Sequence, residues 1–366
     1  MREYEGHISL REGTTLIFIA LSAMLFLQFP QFLIGVGGPA AWQVALVVTM
    51  AGLVLLLPMG ALAKRFPGRG LAEIGREAAG PFLGPLFTLL VALWLFASAA
   101  LTLRNFTETF LISILPDTPP SVLVVVGAAC AVFASYKGIE AIGRSAVILL
   151  PLVAGGALLV LLFSLPRVDL SLIYPFWGQG LMPTMAGGLY YSSMVAEAIV
   201  LLAAGYAFRD GTVLRNSSLL GALLFGLAAM ATVAVLVTVF GAPTAGENPF
   251  PLYNLARLVY LGRFFQRTEA VIITFWFFAA AIRLSLLLHA AAVSFGGALG
   301  LPLYRPLLFP MLILLVSLAM VPHDFLEVLR WDRDLLRPLG FVVLAIPLVL
   351  WLLAAVRGKG DSSHAA

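Results

Sequence analysis

Long apolar runs separated by short polar stretches are the feature that most limits what this chain can fold into. A helix that crosses a bilayer needs about 20 mostly apolar residues, and it must satisfy its backbone polar groups internally because lipid offers them no partner. We therefore predict an all-α polytopic membrane protein with ten transmembrane helices. The predicted segments lie near 14–36, 41–63, 82–115, 119–136, 145–165, 183–204, 214–241, 268–299, 306–321 and 338–357.

The composition supports a membrane protein and argues against several other classes. Charged residues make up 11% of the chain, against about a quarter in soluble domains. The single cysteine, Cys130, excludes a disulfide framework and a thiolate metal cluster. No phosphate-binding glycine loop and no His-Glu-x-x-His motif occurs. We therefore expect no enzyme activity, no cofactor and no nucleic-acid partner.

The positions of the basic residues predict the orientation in the membrane. With a cytoplasmic N-terminus, thirteen Lys and Arg residues fall in inside segments and seven fall in outside loops. Basic residues are enriched in cytoplasmic loops, so we expect both termini to be cytoplasmic.

Ten helices divide into two groups of five, which we place at 8–166 and 170–357 of a single transmembrane domain spanning 1–366. Two halves with an odd number of helices must have opposite topology, as in transporters built from inverted repeats. Substrates of such proteins bind near the bilayer midplane, where the first helix of each half is broken. Segments one and six are therefore expected to form the central site.

Segment six contains residues that weaken a helix, namely the pairs 187–188 (Gly-Gly) and 192–193 (Ser-Ser). Either they mark a break, or small residues allow neighbouring helices to pack closely. Segment one has Ser22 and Pro30 but no glycine pair near its middle, so the sequence predicts a weaker break there.

Ionisable residues inside the predicted membrane segments are costly, and each is a candidate functional residue. Arg104 and Glu108 are four residues apart and can pair on one helix face, as a structural ion pair or as part of a site. Glu197 is either a proton site or a hydrogen-bonded structural acid. Arg283 has no acid within one helical turn, so we expect it to face the interior and contact Glu197, a ligand carboxylate or both.

One amphipathic segment interrupts the apolar pattern between segments seven and eight. In "FPLYNLARLVYLGRFFQRTEA", Leu252, Leu255, Ala256 and Val259 recur at helical spacing, while Asn254 and Arg257 lie on another face. We predict an extracytoplasmic amphipathic helix over 250–265.

This segment and its continuation, "NPFPLYNLARLVYLGRFFQRTEAVIITFWFFAAAIRLSLLLH", closely resemble the signature of the spore germination permease family. These proteins are the B subunits of GerA-type nutrient germinant receptors, within the amino acid–polyamine–organocation superfamily. Further matches are "ISLREG", Pro30, "LRNFTETF", "GIEAIGRSAVILLPL", "PFWGQGL" and Glu197, so that the resemblance covers residues 8–357.

The resemblance implies a LeuT-type fold with a 5+5 inverted repeat and broken helices 1 and 6. It also implies a location in the spore inner membrane, partner subunits of the A type and the C type (a lipoprotein), and a small nutrient ligand, mostly an amino acid in this family. Many relatives have a Gly-x-Gly stretch where this chain has 23–25, "AML", whose bulkier side chains are expected to reshape the pocket. The ligand-binding positions implied by the resemblance are Ala23, Met24, Leu25, Ser98, Ser193, Met194, Arg283 and Leu287.

The sequence thus predicts a nutrient sensor that passes its signal to partner subunits. A proton-coupled amino acid transporter is the alternative, and a conductor of water or ions within a complex is a weaker one.

Overall fold

The computed structural model of the chain describes residues 6–248, 250–258 and 268–360, and the side chains of 273–360 within the last of these ranges. Across these residues the regular secondary structure is helical. Eight of the described helices are long and apolar enough to cross a bilayer. The segment predicted at 14–36 is not counted separately, because its first helix has 13 residues and its second part is joined to the next segment in one stretch, Phe29–Arg65. The helix of the segment predicted at 306–321 has only 12 residues.

The first half of the chain begins with a well-capped helix. The Ser9 hydroxyl accepts a hydrogen bond from the Glu12 amide at 3.3 Å, and the Glu12 carboxylate accepts one from the Ser9 amide at 2.8 Å, which forms a capping box. The helices of this half are α1 (Leu10–Ser22), α2 (Phe29–Gly37), α3 (Ala41–Arg65), α4 (Leu71–Ser113), α5 (Pro120–Lys137) and α6 (Ile139–Ser164).

The second half contains the remaining helices. The longest of them, α12, lies inside the bundle and packs against α1, α4, α5 and α6. The helices are α7 (Leu181–Tyr191), α8 (Ile199–Ala203), α9 (Gly211–Phe240), α10 (Ala242–Glu247), α11 (Pro251–Leu258), α12 (Thr268–Ala298), α13 (Leu308–Ala319), α14 (Phe325–Trp331) and α15 (Arg337–Val356).

Segment one is broken at mid-length, and more clearly than its sequence suggested. Helix α1 ends at Ser22, a 3₁₀ turn covers Ala23–Phe26, and the non-helical Leu27 precedes α2. No glycine is present in this turn, so the break is maintained by partners in the rest of the structure rather than by backbone freedom.

Segment six is also broken, and its small residues act in two ways. A 3₁₀ stretch of seven residues, Ser192–Ala198, separates α7 from α8. The Ser193 hydroxyl donates to the Tyr190 carbonyl at 3.0 Å, a local bond that competes with helix hydrogen bonding. Gly187 and Gly188 lie earlier, within α7, where a Cβ atom would overlap valines of α2 and α3. The serines therefore mark the break, and the glycines permit close packing.

Two helices begin earlier than the hydropathy pattern predicted. Helix α4 starts at Leu71 and changes direction at Gly80, whose φ of +94° suits glycine, so the predicted run at 82–115 is only its second part. The run predicted at 338–357 is preceded by α14 and a π-helical turn, Asp332–Leu336. Charged residues in both extensions lower the local hydropathy, which explains the late predicted starts.

The amphipathic segment is helical in its described part. Helix α11 buries Leu252, Leu255 and Ala256, as their spacing predicted. Residues 259–265 of the predicted helix lie outside the described residues.

Candidate functional site

A small cavity lies beside the break in segment one. Its walls come from the turn between α1 and α2, from α4, α7 and α12, and from the region where α14 leads into α15. Its volume is about 20 Å³, which is room for one or two water molecules. The lining side chains therefore leave little free space at this site.

Arg283 and Glu197 form an ion pair beside this cavity. Arg283 lies on α12 and Glu197 in the 3₁₀ stretch of segment six, and their side chains are 4% and 2% exposed. The Arg283 Nη2 donates to Glu197 Oε1, Nη1 donates to the Ala20 carbonyl at 2.9 Å, and Nε donates to Thr102 Oγ1 at 3.2 Å. One guanidinium thus joins both broken helices to α4 and α12.

The carbonyl groups freed by the break in segment one have protein donors. The Ala20 carbonyl accepts from Arg283, and the Ala23 carbonyl accepts from the Trp276 indole nitrogen at 3.1 Å. Both donors lie on α12. These carbonyls are consequently engaged by the protein and do not have to bind a ligand or an ion to be satisfied.

Several buried polar atoms near the breaks have no hydrogen-bond partner within the described residues. They are Glu197 Oε2 and the hydroxyl oxygens of Ser22 and Ser98. Leaving such an atom unsatisfied costs about 1–3 kcal/mol, and more for a charged group. Of these residues Ser98 lines the cavity, which is therefore suited to a polar molecule, whether water or a small ligand.

A second buried arginine, Arg337, lines the same cavity where α15 begins. Its side chain is 2% exposed, and its Nη2 donates to Asp332 Oδ1 at 2.8 Å. The π-helical turn allows residues five positions apart to lie on one face, so Asp332 can reach Arg337. Within the described residues the Nε and Nη1 atoms of Arg337 have no partner.

A pair of amides joins the break in segment one to α4. Gln28 Nε2 donates to Asn105 Oδ1 at 2.6 Å, and Asn105 Nδ2 donates to Gln28 Oε1 at 2.8 Å. The rings of Phe32 and Tyr191 stack nearby, with centroids 5.7 Å apart. These contacts connect α2 with α4 and α7 around the cavity.

The residues expected to bind ligand divide into two groups. Met24, Ser98 and Arg283 line the cavity. Ala23 lies in the 3₁₀ turn and offers its carbonyl to Trp276. The others are buried in the surrounding core without lining the cavity: Leu25, Ser193, Met194 and Leu287.

Arg104 and Glu108 pair with each other at 2.7 Å and do not line the cavity. The Arg104 Nη1 also lies 3.6 Å from the Met320 sulfur, so the pair contacts the end of α13. This position agrees with a structural role. Within the described residues, no group of three His, Cys, Asp or Glu side chains is placed to share a metal ion.

Sequence reasoning missed eight polar or aromatic residues of this site. Arg337 was counted among the basic residues of an outer loop, because it stands at the edge of the apolar run that follows it. Arg337 and Asp332 are five residues apart, a spacing that does not predict a pair on an α-helix, where residues three or four apart share a face. The missed residues are Gln28, Phe29, Phe32, Thr102, Asn105, Tyr191, Asp332 and Arg337.

Solved structures with the same arrangement of helices are membrane transporters. A Na⁺-coupled sialic acid symporter, in a substrate-bound outward-open state, superposes with a TM-score of 0.65 at 16% identity and covers 98% of this chain and 81% of its own. The transporter MhsT in complex with L-phenylalanine superposes with a TM-score of 0.64 at 15% identity, over 95% of this chain and 92% of its own. The predicted LeuT-type fold, with ten helices of which 1 and 6 are broken, is confirmed.

Relatives in sequence include proteins of two Bacillus species. Spore germination protein XB of Bacillus anthracis is 27% identical over 213 residues, 58% of this chain and 59% of that protein, so the match spans about three fifths of the relative. Spore germination protein KB of Bacillus subtilis (strain 168) is 23% identical over 294 residues, 79% of this chain and 78% of that protein. The family model described as "Spore germination protein" matches residues 7–326. With that match over most of its length, this chain belongs to the spore germination protein family.

Proposed function

We propose that this chain is the membrane subunit of a spore nutrient germinant receptor. It binds a small nutrient, with amino acids as the expected class, in the mid-membrane cavity and triggers germination together with partner subunits. The observation that carries this proposal is the polar cavity beside the break in segment one, whose wall includes Arg283, the ion-pair partner of Glu197. Because the chain belongs to the spore germination family, we assign the ligand of this cavity a role in germination.

The setting of the receptor is part of the same proposal. The expected partners are an A-type subunit and a lipoprotein C-type subunit, and the expected location is the spore inner membrane. Both termini are cytoplasmic, which is supported by the excess of basic residues in the inside segments. The two repeats extend over 8–166 and 170–357.

Ligand binding to the purified chain tests the proposal. A ligand at a hundredfold excess over its Kd stabilises the folded state by about 2.7 kcal/mol, enough to raise the thermal unfolding midpoint measurably. We expect at least one compound to do so in a panel of amino acids, sugars and nucleosides. A panel in which no compound raises the midpoint would refute the proposal.

A matched pair of variants locates the binding site. Ser98→Leu fills the cavity, whereas Ser317→Leu makes the same change at an exposed position of α13. We expect the ligand-dependent shift to disappear in the first variant and to persist in the second. Equal shifts in both variants would move the binding site elsewhere.

A proton-coupled amino acid transporter is the second candidate. Two features favour it: the fold it shares with symporters, and the partnerless Oε2 of Glu197 in the core. Uptake of a labelled ligand into proteoliposomes under a pH gradient separates the two functions. A sensor binds the ligand without accumulating it, and accumulation dependent on the gradient would establish the transporter.

A further inference from the structure

The two buried arginines of the cavity differ in how much of their hydrogen-bonding capacity the protein uses. Arg283 donates from all three nitrogens, to Glu197, Thr102 and the Ala20 carbonyl. Arg337 donates only from Nη2, to Asp332, and its Nε and Nη1 atoms are buried without a partner in the described residues. Arg283 is thus committed to holding the broken helices, whereas Arg337 has donors available.

We propose that Arg337 is the residue that binds the carboxylate of the ligand, in a subsite where α14 leads into α15. This inference rests on the proposed function, for which it names the anchoring group and the chemical class of ligand. A guanidinium with free N–H groups is a strong partner for a carboxylate, because the hydrogen bonds are charge-assisted. Burial strengthens them further by excluding water.

The balance of charge at the cavity narrows the ligand class. Each arginine already has one acid, since Glu197 pairs with Arg283 and Asp332 with Arg337. A ligand that brought only a negative charge would leave that charge uncompensated in a buried site. A zwitterionic α-amino acid is neutral overall, and Asp332 provides an acceptor for its ammonium group beside Arg337. Phe32 and Tyr191 offer apolar ring surface on the same cavity wall.

The volume of the cavity, about 20 Å³, is smaller than an amino acid requires. Binding therefore involves movement of the surrounding side chains.

Comparison of amino acids with their C-terminal amides tests the inference on the unmodified chain. The full-length protein is purified in detergent, and its affinity for each L-amino acid and the matching amide is measured by thermal shift. The amide keeps the ammonium and the side chain but lacks the charged carboxylate. We expect the amides to bind at least about tenfold more weakly, the factor that corresponds to about 1.4 kcal/mol.

Variants then identify the arginine involved. The double variant Asp332→Asn/Arg337→Gln removes both charges, keeps side chains able to hydrogen-bond and leaves no buried charge unpaired. We expect it to bind amino acids at least about tenfold more weakly than the unmodified chain. Arg333→Gln, at an exposed arginine outside the cavity, serves as the control and should bind within about twofold.

The outcomes separate this inference from the proposed function. Amino acid binding that is equally strong for the amides, or unchanged in the double variant, overturns the role of Arg337 and leaves the receptor function intact. Binding of sugars or nucleosides alone does the same. Binding of no panel compound overturns both.

Discussion

A single guanidinium, that of Arg283, donates hydrogen bonds to a carboxylate, a hydroxyl and a backbone carbonyl inside the membrane domain. Removing one partner of a buried ion pair leaves a charge without compensation, which costs about 3–5 kcal/mol. We therefore expect Arg283→Leu to lower the thermal unfolding midpoint and the yield of folded protein in detergent.

The double variant Arg283→Leu/Glu197→Leu is the control for this prediction. Without either charge, most of the lost stability should return, although the Ala20 carbonyl remains without its donor. A double variant no more stable than Arg283→Leu would show that the charge of Glu197 is not what destabilises the single variant.

Arg104 and Glu108 allow a comparison between a buried and an exposed ion pair of the same spacing. Their side chains are 6% and 15% exposed, whereas Arg144, which pairs with Glu140 four residues earlier, is 69% exposed. Arg104→Ala should cost about 3–5 kcal/mol, because it strands a buried charge. Arg144→Ala should cost no more than about 1 kcal/mol, because solvent screens that pair. Similar losses in unfolding midpoint for both variants would contradict a structural role specific to Arg104.

At the scale of elements, the break in segment one depends on α12. The Trp276 indole donates to the Ala23 carbonyl, and Trp276 is 2% exposed. Trp276→Phe retains an aromatic ring but leaves that carbonyl buried without a donor, so we expect a loss of about 1–3 kcal/mol in stability.

Trp351→Phe on α15 is the matched control, since its indole makes no hydrogen bond within the described residues and is only partly buried. We expect the thermal unfolding midpoint to fall more in Trp276→Phe than in Trp351→Phe. Equal stability would mean that the break persists without its indole donor.

At the scale of the whole molecule, orientation in the membrane is open to direct measurement. Arg257 and Arg69 are exposed arginines that lie over aromatic rings, those of Tyr253 and Phe66, on opposite sides of the predicted topology. In a Cys130→Ser background, we expect Arg257→Cys to react with a membrane-impermeant maleimide in intact cells. Arg69→Cys should react only after permeabilisation, and the reverse pattern would overturn the orientation derived from the basic residues.

Much of the architecture is determined by local properties of the sequence. Apolar runs of bilayer length predicted the helices, because an isolated helix in lipid must satisfy its own backbone. The glycine and serine pairs of segment six indicated either a break or close helix packing. The break lies at the serine pair, 192–193, because serine hydroxyls compete for the local carbonyls. Arg283 was singled out because a lone charge in an apolar run needs a partner, and Glu197 was the expected acid.

Other features were decided by contacts between distant parts of the chain. The break in segment one contains no glycine, and its carbonyls are satisfied by Trp276 and Arg283 of α12, over 250 residues away. Arg337 looks like a loop arginine in sequence but is buried, because the π-helical turn brings Asp332 onto its face and packing closes around both. The periodicity of a sequence predicts where a helix forms and which of its faces is apolar, and it carries no information on contacts with distant helices. Which donor meets which freed carbonyl, and which arginine keeps free N–H groups, depends on how the helices pack against one another.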